Sequence, residues 1–168
     1  RKSFEEYGQV IEVPAAETGK SANQGSASRF NYLANLQNLR NEKEWGIPAT
    51  IKSPSASLNV CLFRSKPRQI PFQVKLLERH KYSSQLFIPM TNQHAAYLVV
   101  VALNDSVYEK PDMSTFRVFI GSSTQAFNYR AGVWHHPMIA LYSQIDFVCF
   151  VYERNQNQVV DTEDCEEV

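Results

Sequence analysis

Two stretches of this chain carry side chains able to do acid–base chemistry. In "LLERHKYSSQLFIPM" a carboxylate and an imidazole stand two residues apart, Glu78 and His80, with the amide of Gln85 following. In "GVWHHP" two histidines are adjacent, His135 and His136. On an extended chain alternate side chains share a face, so Glu78 and His80 enter one interior together, and the turn at "KYSS" returns Gln85 to them. A carboxylate, an imidazole and an amide gathered inside a protein form either a polar network or a site. Of the two adjacent histidines, at most one faces any given interior.

Such side chains must be positioned by strands. From "LNVCLFRSK" onward the chain consists of short apolar runs rich in aromatic and β-branched residues, punctuated by Pro, Asn, Asp or Gly. That texture predicts an antiparallel barrel or sandwich. Strands are expected over 58–64, 71–80, 85–89, 96–103, 114–120, 125–129, 133–142 and 145–152. Roughly eight short strands suit a jelly roll or closed barrel, which leaves no sheet edge exposed.

Alternation along 71–80 sets Phe72, Val74, Leu76, Glu78 and His80 against Gln73, Lys75, Leu77, Arg79 and Lys81. Along 133–142, Val133, His135, Pro137, Ile139 and Leu141 oppose Trp134, His136, Met138, Ala140 and Tyr142. Both of these sets are apolar, as on a strand covered on both sides, and alternation does not choose between the histidines. Arg117 shares a face with Thr115 and Phe119. Like Arg64 in "LFRSKP", it is either a solvated surface residue or a buried cation awaiting a carboxylate.

The rest of the chain frames these strands. Ser3 and Glu6 predict one helical turn feeding a strand, and the small polar residues of 14–28 read as a long loop. Residues 47–57 also read as a loop or insertion. The organisation expected over 1–168 is a single domain with an irregular N-terminal part (1–57), a barrel core (58–152) and a loosely held polar tail (153–168). Lys+Arg and Asp+Glu number 17 each and the basic residues are scattered, which argues against a nucleic-acid partner but leaves a small anionic substrate open. Cys61, Cys149 and Cys165 form no CxxC pair, so free thiols and a reducing compartment are expected. No run approaches the ~20 apolar residues of a membrane span, and the layout of a signal peptide is lacking; a cytoplasmic protein with no membrane partner is the expectation.

Taken together, "LLERHKYSSQLFIPM", "AYLVVVALND", "KPDMSTFRVFI" and "QAFNYRAGVWHHPMIAL" closely resemble the ureidoglycolate lyases, also called ureidoglycolate hydrolases, of allantoin degradation. The likeness runs from about Cys61 to Phe150, with a weaker echo in "SFEEYGQVIE" and "ANQGSASRF". It implies a mainly β, cupin-type antiparallel barrel (jelly roll), a homodimer, and a carbon–nitrogen lyase that eliminates urea from ureidoglycolate to leave glyoxylate. That elimination needs a base for the hydroxyl proton, an acid for the departing nitrogen and a cation for the carboxylate.

Cupins commonly place metal ligands on two motifs, His-x-His with a following Glu, and a later His. Here the resemblance aligns Glu78, His80, Gln85 and His135 with those positions, with Glu and Gln as departures. It leaves open a divalent metal ion on His80, His135, Glu78 and Gln85, and implies no organic cofactor. It also implies that His135 faces inward and His136 outward or into the dimer contact. His80 and His135 are then base and acid, or ligands to an ion doing that work, with Glu78 orienting or ligating. Arg117 and Arg64 are expected to hold the carboxylate, Gln85 and Tyr129 the ureido group, and Trp134 to wall the pocket. Asn23, Gly25 and Arg29 match a family Asn-x-Gly followed by Arg, expected to act as a lid or to reach the partner subunit's site. The alternatives are a non-catalytic cupin binding a small organic acid, an amidohydrolase releasing ammonia from the same substrate, and a cupin oxygenase, against which Glu78 and Gln85 count.

Overall fold

A computed structural model describes residues 2–15, 18–40, 56–91, 94–156, 159–160 and 165–168. Most of the loop expected over 47–57 lies outside the described residues. A 3-10 turn at Lys2–Phe4 leads into β1 (Gly8–Glu12), followed by β2 (Lys20–Ala22), β3 (Ala27–Arg29), β4 (Ser57–Ser65), β5 (Glu78–Arg79), β6 (Gln85–Pro89) and β7 (Ala96–Asp105). Next come β8 (Lys110–Ser122), β9 (Gln125–Tyr129), β10 (Trp134–His135), β11 (Ile139–Ala140), β12 (Ile145–Glu153), β13 (Asn155–Gln156), β14 (Val159–Val160) and β15 (Glu166–Glu167).

The strands form two main antiparallel sheets, one in the order β1-β9-β6-β12-β4 and the other in the order β11-β7-β10-β5-β15 with β8 beside β7. The mainly β, jelly-roll expectation therefore holds. The first sheet turns one face inward: along β12, Ile145, Phe147, Cys149 and Val151 are buried while their neighbours are half-covered. Phe87, Tyr97, Val99, Val101, Phe127 and Tyr129 join them in the main core between the sheets. A second, smaller core of Leu77, Val100, Ala102, Trp134 and Ile139 lies on the opposite face of β7, with Phe72, Val74, Leu98 and Phe116 against it.

Several sequence expectations need correction. Of 71–80 only Glu78–Arg79 is a strand. Without a ladder over the preceding residues the period of two does not carry through, so Phe72 and Val74 pack on the outer core while Glu78 faces inward. The expected strand 133–142 is likewise two short pieces, β10 and β11. Trp134 pairs with Ala102 and His135 with Val101, but Ile139 pairs with Leu98 and Ala140 with Tyr97, a one-residue slip across the bulge around Pro137. The slip flips the parity, so Met138 and Ala140 join Val133 in the main core and Ile139 joins Trp134 in the outer one.

Residues 20–29 are not a structureless loop but a small hairpin, β2 with β3, turning through Asn23, Gln24 and Gly25 at φ 51, 57 and 93. The tail is also more structured than expected. β15 pairs with β5, Glu166 opposite Arg79 and Glu167 opposite Glu78, and Leu77 and Val168 exchange backbone hydrogen bonds.

Candidate active site

The inward residues of β5 and β10 meet in a single pair, His135 directly opposite Glu78. What places them there is local. The chain leaves β9 at Tyr129 and turns through Gly132 at φ 81, a left-handed conformation that suits glycine. The Gly132 N–H donates to the His80 carbonyl at 2.8 Å, tying this turn to the end of β5. Pro137 has no N–H to continue the ladder, so β10 ends after presenting Trp134 outward and His135 inward.

His135 is buried. Its ring stacks on Tyr129 at 4.2 Å between centroids and lies 5.9 Å from the near-parallel ring of His80. Nδ1 is 2.9 Å from the Val133 carbonyl, which can only accept, so Nδ1 carries the proton and donates. That leaves Nε2 as the free ring atom, 3.5 Å from Glu78 Oε1. Burial pushes the Glu78 carboxyl up, but its attraction to His135 first, and then to His80 and His136, when those rings are protonated outweighs burial and holds the group below its ordinary value. Glu78 is therefore a carboxylate at neutral pH.

Ligand atoms of Glu78, His80 and His135 all lie within 4.8 Å of one another, a grouping able to hold a metal ion. Gln85 is buried directly across from Tyr129, on the same inward face. The Tyr129 hydroxyl donates to Met138 Sδ at 3.6 Å, and burial, with the charges of Tyr97, Glu78 and Cys149 adding to it, pushes its phenol well above the ordinary range. It stays a neutral donor. His135 Nε2 and Gln85 Oε1 are both buried without a hydrogen-bond partner among the described residues.

Other expected site residues lie elsewhere. Arg64 sits on the outer face of β4 and is exposed, held by both oxygens of Asp146 at 2.9 Å. Arg117 is exposed too, donating to the carbonyls of Ser114 and Phe116, on β8, which pairs only with β7 among the described strands. Trp134 belongs to the outer core, one residue from His135 and so on the opposite face; it backs the site strand and does not wall the pocket. Asn23 and Arg29 are exposed on the β2–β3 hairpin, whose strands pair with each other. His136 points outward, its ring edge-on to Phe72 at 5.3 Å. With Arg64, Lys66 and Arg68 it lines an outer cleft of about 340 Å³.

Alternation placed Arg79 on the face opposite Glu78 and His80 and gave it no role, yet its side chain is only 2% exposed. Its Nε donates to Glu166 Oε2, Nη1 to Asn104 Oδ1 and Nη2 to Glu109 Oε2, each at 2.7 Å. The guanidinium lies 4.6 Å over the Trp134 ring. The available signal was the adjacent placement of both residues: Arg79 follows Glu78 and Trp134 precedes His135, so two strands that pair inward must also pair outward.

The family model for ureidoglycolate lyase matches residues 1–168. A ureidoglycolate lyase of Burkholderia mallei (strain NCTC 10229) is 39% identical over 148 residues, covering 88% of this chain and 75% of that protein. A ureidoglycolate lyase of Saccharomyces cerevisiae is 36% identical over 165 residues, covering 91% of this chain and 82% of that one. The solved structure of RmlC from Streptococcus suis in complex with dTDP-D-xylose covers 90% of this chain and 74% of its own, at 13% identity and a TM-score of 0.39.

Proposed function

This chain belongs to the ureidoglycolate lyase family and is a carbon–nitrogen lyase of ureidoglycolate in allantoin degradation, and from that premise we propose that Glu78, His80 and His135 carry its chemistry. Ureidoglycolate bears a carboxylate, a hydroxyl and a ureido nitrogen on one carbon. Taking the hydroxyl proton lets the C–O bond become a carbonyl as the C–N bond breaks, and the leaving nitrogen must gain a proton to depart as urea.

One observation carries the assignment: His135 donates from Nδ1 to the Val133 carbonyl and turns an unpartnered, buried Nε2 inward beside Glu78. That ring atom is the base for the hydroxyl proton, and the Glu78 carboxylate stabilises the imidazolium that results. His80, stacked near it, protonates the leaving nitrogen. The Gln85 amide and the Tyr129 hydroxyl bind the ureido group. The carboxylate falls to Arg29 with Asn23, delivered by the β2–β3 hairpin; this reading is supported by the exposure of both side chains there and by Arg64 and Arg117 being engaged on the outside of the protein.

Two imidazoles and a carboxylate also suit a borderline divalent ion, and the Val133 hydrogen bond orients His135 as a metal-bound histidine requires. When bound to His80, His135 and Glu78, such an ion would supply Lewis-acid stabilisation of negative charge developing on substrate oxygen.

The enzyme works as a homodimer, a reading supported by the exposed apolar row of Leu58, Val60 and Leu62 on the outer face of β4, continued by Ile88 on β6. No helix among the described residues is long and apolar enough to cross a membrane. The three cysteines form no disulfide among the described residues, which supports a cytoplasmic setting.

Product analysis tests the reading. Chelator-treated protein is incubated with ureidoglycolate, with and without divalent ions, and glyoxylate, urea and ammonia are assayed separately against the spontaneous rate. Equal glyoxylate and urea above background is the expected result, and ion dependence reports on the metal. Ammonia without urea would replace the lyase with an amidohydrolase.

A further inference from the structure

The strands that carry the site are very short. β5 and β10 have two residues each, and one residue pair, His135 with Glu78, joins them. A single ladder pair is a weak register device, and a displacement of about an ångström is enough to spoil acid–base geometry. The outer face supplies what the ladder lacks. Arg79 stacks on Trp134 directly behind the Glu78–His135 pair, so each outward partner is the chain neighbour of an inward one.

Arg79 is itself fixed from three other places. Asn104 at the end of β7 accepts from Nη1 and also accepts the Trp134 indole N–H at 3.0 Å, bridging the two stacked side chains. Glu109, in the turn after β7, accepts from Nη2 and from Lys81. Glu166 of β15 accepts from Nε, and Cys165, just before that strand, donates its thiol to Glu78 Oε2 at 4.0 Å, while His135 lies nearest Oε1. A guanidinium is suited to this role because its planar fork meets several fixed acceptors while its face lies on an aromatic ring.

We propose that Arg79 is a positioning residue for the elimination, and that Glu166 of β15 completes the clamp with which Arg79 and Trp134 hold Glu78 opposite His135. The proposal rests on the reading of Glu78 and His135 as acid–base machinery, and it adds β15 to what that machinery requires.

The test uses the full chain and the variant Glu166→Gln, which keeps the shape of a partly exposed side chain and removes its charge. A displaced Glu78 no longer supports His135 in the transition state while substrate contacts persist, so kcat falls about ten-fold with KM changed by less than about two-fold. In isotope-labelled protein without substrate, the His135 ring signals shift, and Glu166→Asp returns both kcat and those signals toward wild type. Trp134→Phe keeps a ring under the guanidinium but removes the bridge to Asn104, and is read in the same two ways should Glu166→Gln fail to fold. Unchanged kcat with unmoved His135 signals in the folded variants overturns the clamp, while an inactive His135→Ala in the same assay would leave the acid–base reading standing. Full activity in His135→Ala overturns that reading instead.

Discussion

The two faces of β5 and β10 hold polar groups in opposite states. Behind the strands, Arg79 has a partner for each of its three nitrogens and a ring beneath its plane. In front, His135 Nε2 on β10 and, on β6 of the facing sheet, Gln85 Oε1 are buried with no hydrogen-bond partner among the described residues. Leaving a buried polar atom unpaired costs about 1–3 kcal/mol. A chain that satisfies a buried guanidinium completely on one face and leaves an imidazole and an amide wanting on the other has built the first for stability and the second for a visitor. The difference teaches where to look: the groups awaiting partners bind and react, and the saturated ones hold them still.

The strongest way to break that contrast is to truncate one histidine on each side. His135→Ala should lower kcat/KM by roughly 10²–10⁴-fold, the range for loss of a general base, while thermal unfolding moves little. His136→Ala, on the outward ring against Phe72, should cost a few-fold at most. Steady-state kinetics with glyoxylate detection reads both, and equal activity in wild type and His135→Ala would end the assignment.

A gentler change sharpens it. Glu78→Gln keeps an oxygen near His135 but removes the charge that stabilises its imidazolium. The expected loss in kcat is about 10–100-fold with a small change in KM. A loss confined to KM would instead make Glu78 a substrate-binding group.

How much of this was legible in the sequence follows from the range of the interactions. The placement of Glu78, His80 and Gln85 around one interior, and the inward His135, came through because a period of two acts over a few residues and the family motifs run through the same stretches. The outward half did not. A charged residue in an alternating segment reads as solvated, and Arg79 is buried only because Trp134, Asn104, Glu109 and Glu166 converge on it from distant parts of the chain. Alternation also failed wherever the ladder stops, before Glu78 and across Pro137, since the period of two belongs to paired strands and not to extended chain in general. Arg64 and Arg117 are cations in otherwise apolar strands, and that setting does not reveal that one is held by Asp146 and the other lies on an edge strand.

The smallest expected effect concerns the saturated face itself. Hydrogen bonds from Arg79 first, and then Lys81, hold the Glu109 carboxyl down at about 2 against an ordinary 4.5. A folded-state value below the unfolded one contributes stability that is present above the unfolded pKa and lost as the pH falls toward the folded one. The window is therefore pH 4.5 down to about 2. Glu78 and Asp146 are shifted in the same direction, so the wild-type melting temperature should fall as the pH drops below the ordinary carboxylate range. Glu109→Gln should flatten that fall without abolishing it, and by a few degrees at most, because Glu109 is largely exposed and water screens the pair. Melting curves at stepped pH in low and high salt measure this. Identical acid slopes in the two proteins would mean that Asn104, Trp134 and Glu166 hold Arg79 without help from Glu109, and that the clamp behind the site is narrower than its geometry implies.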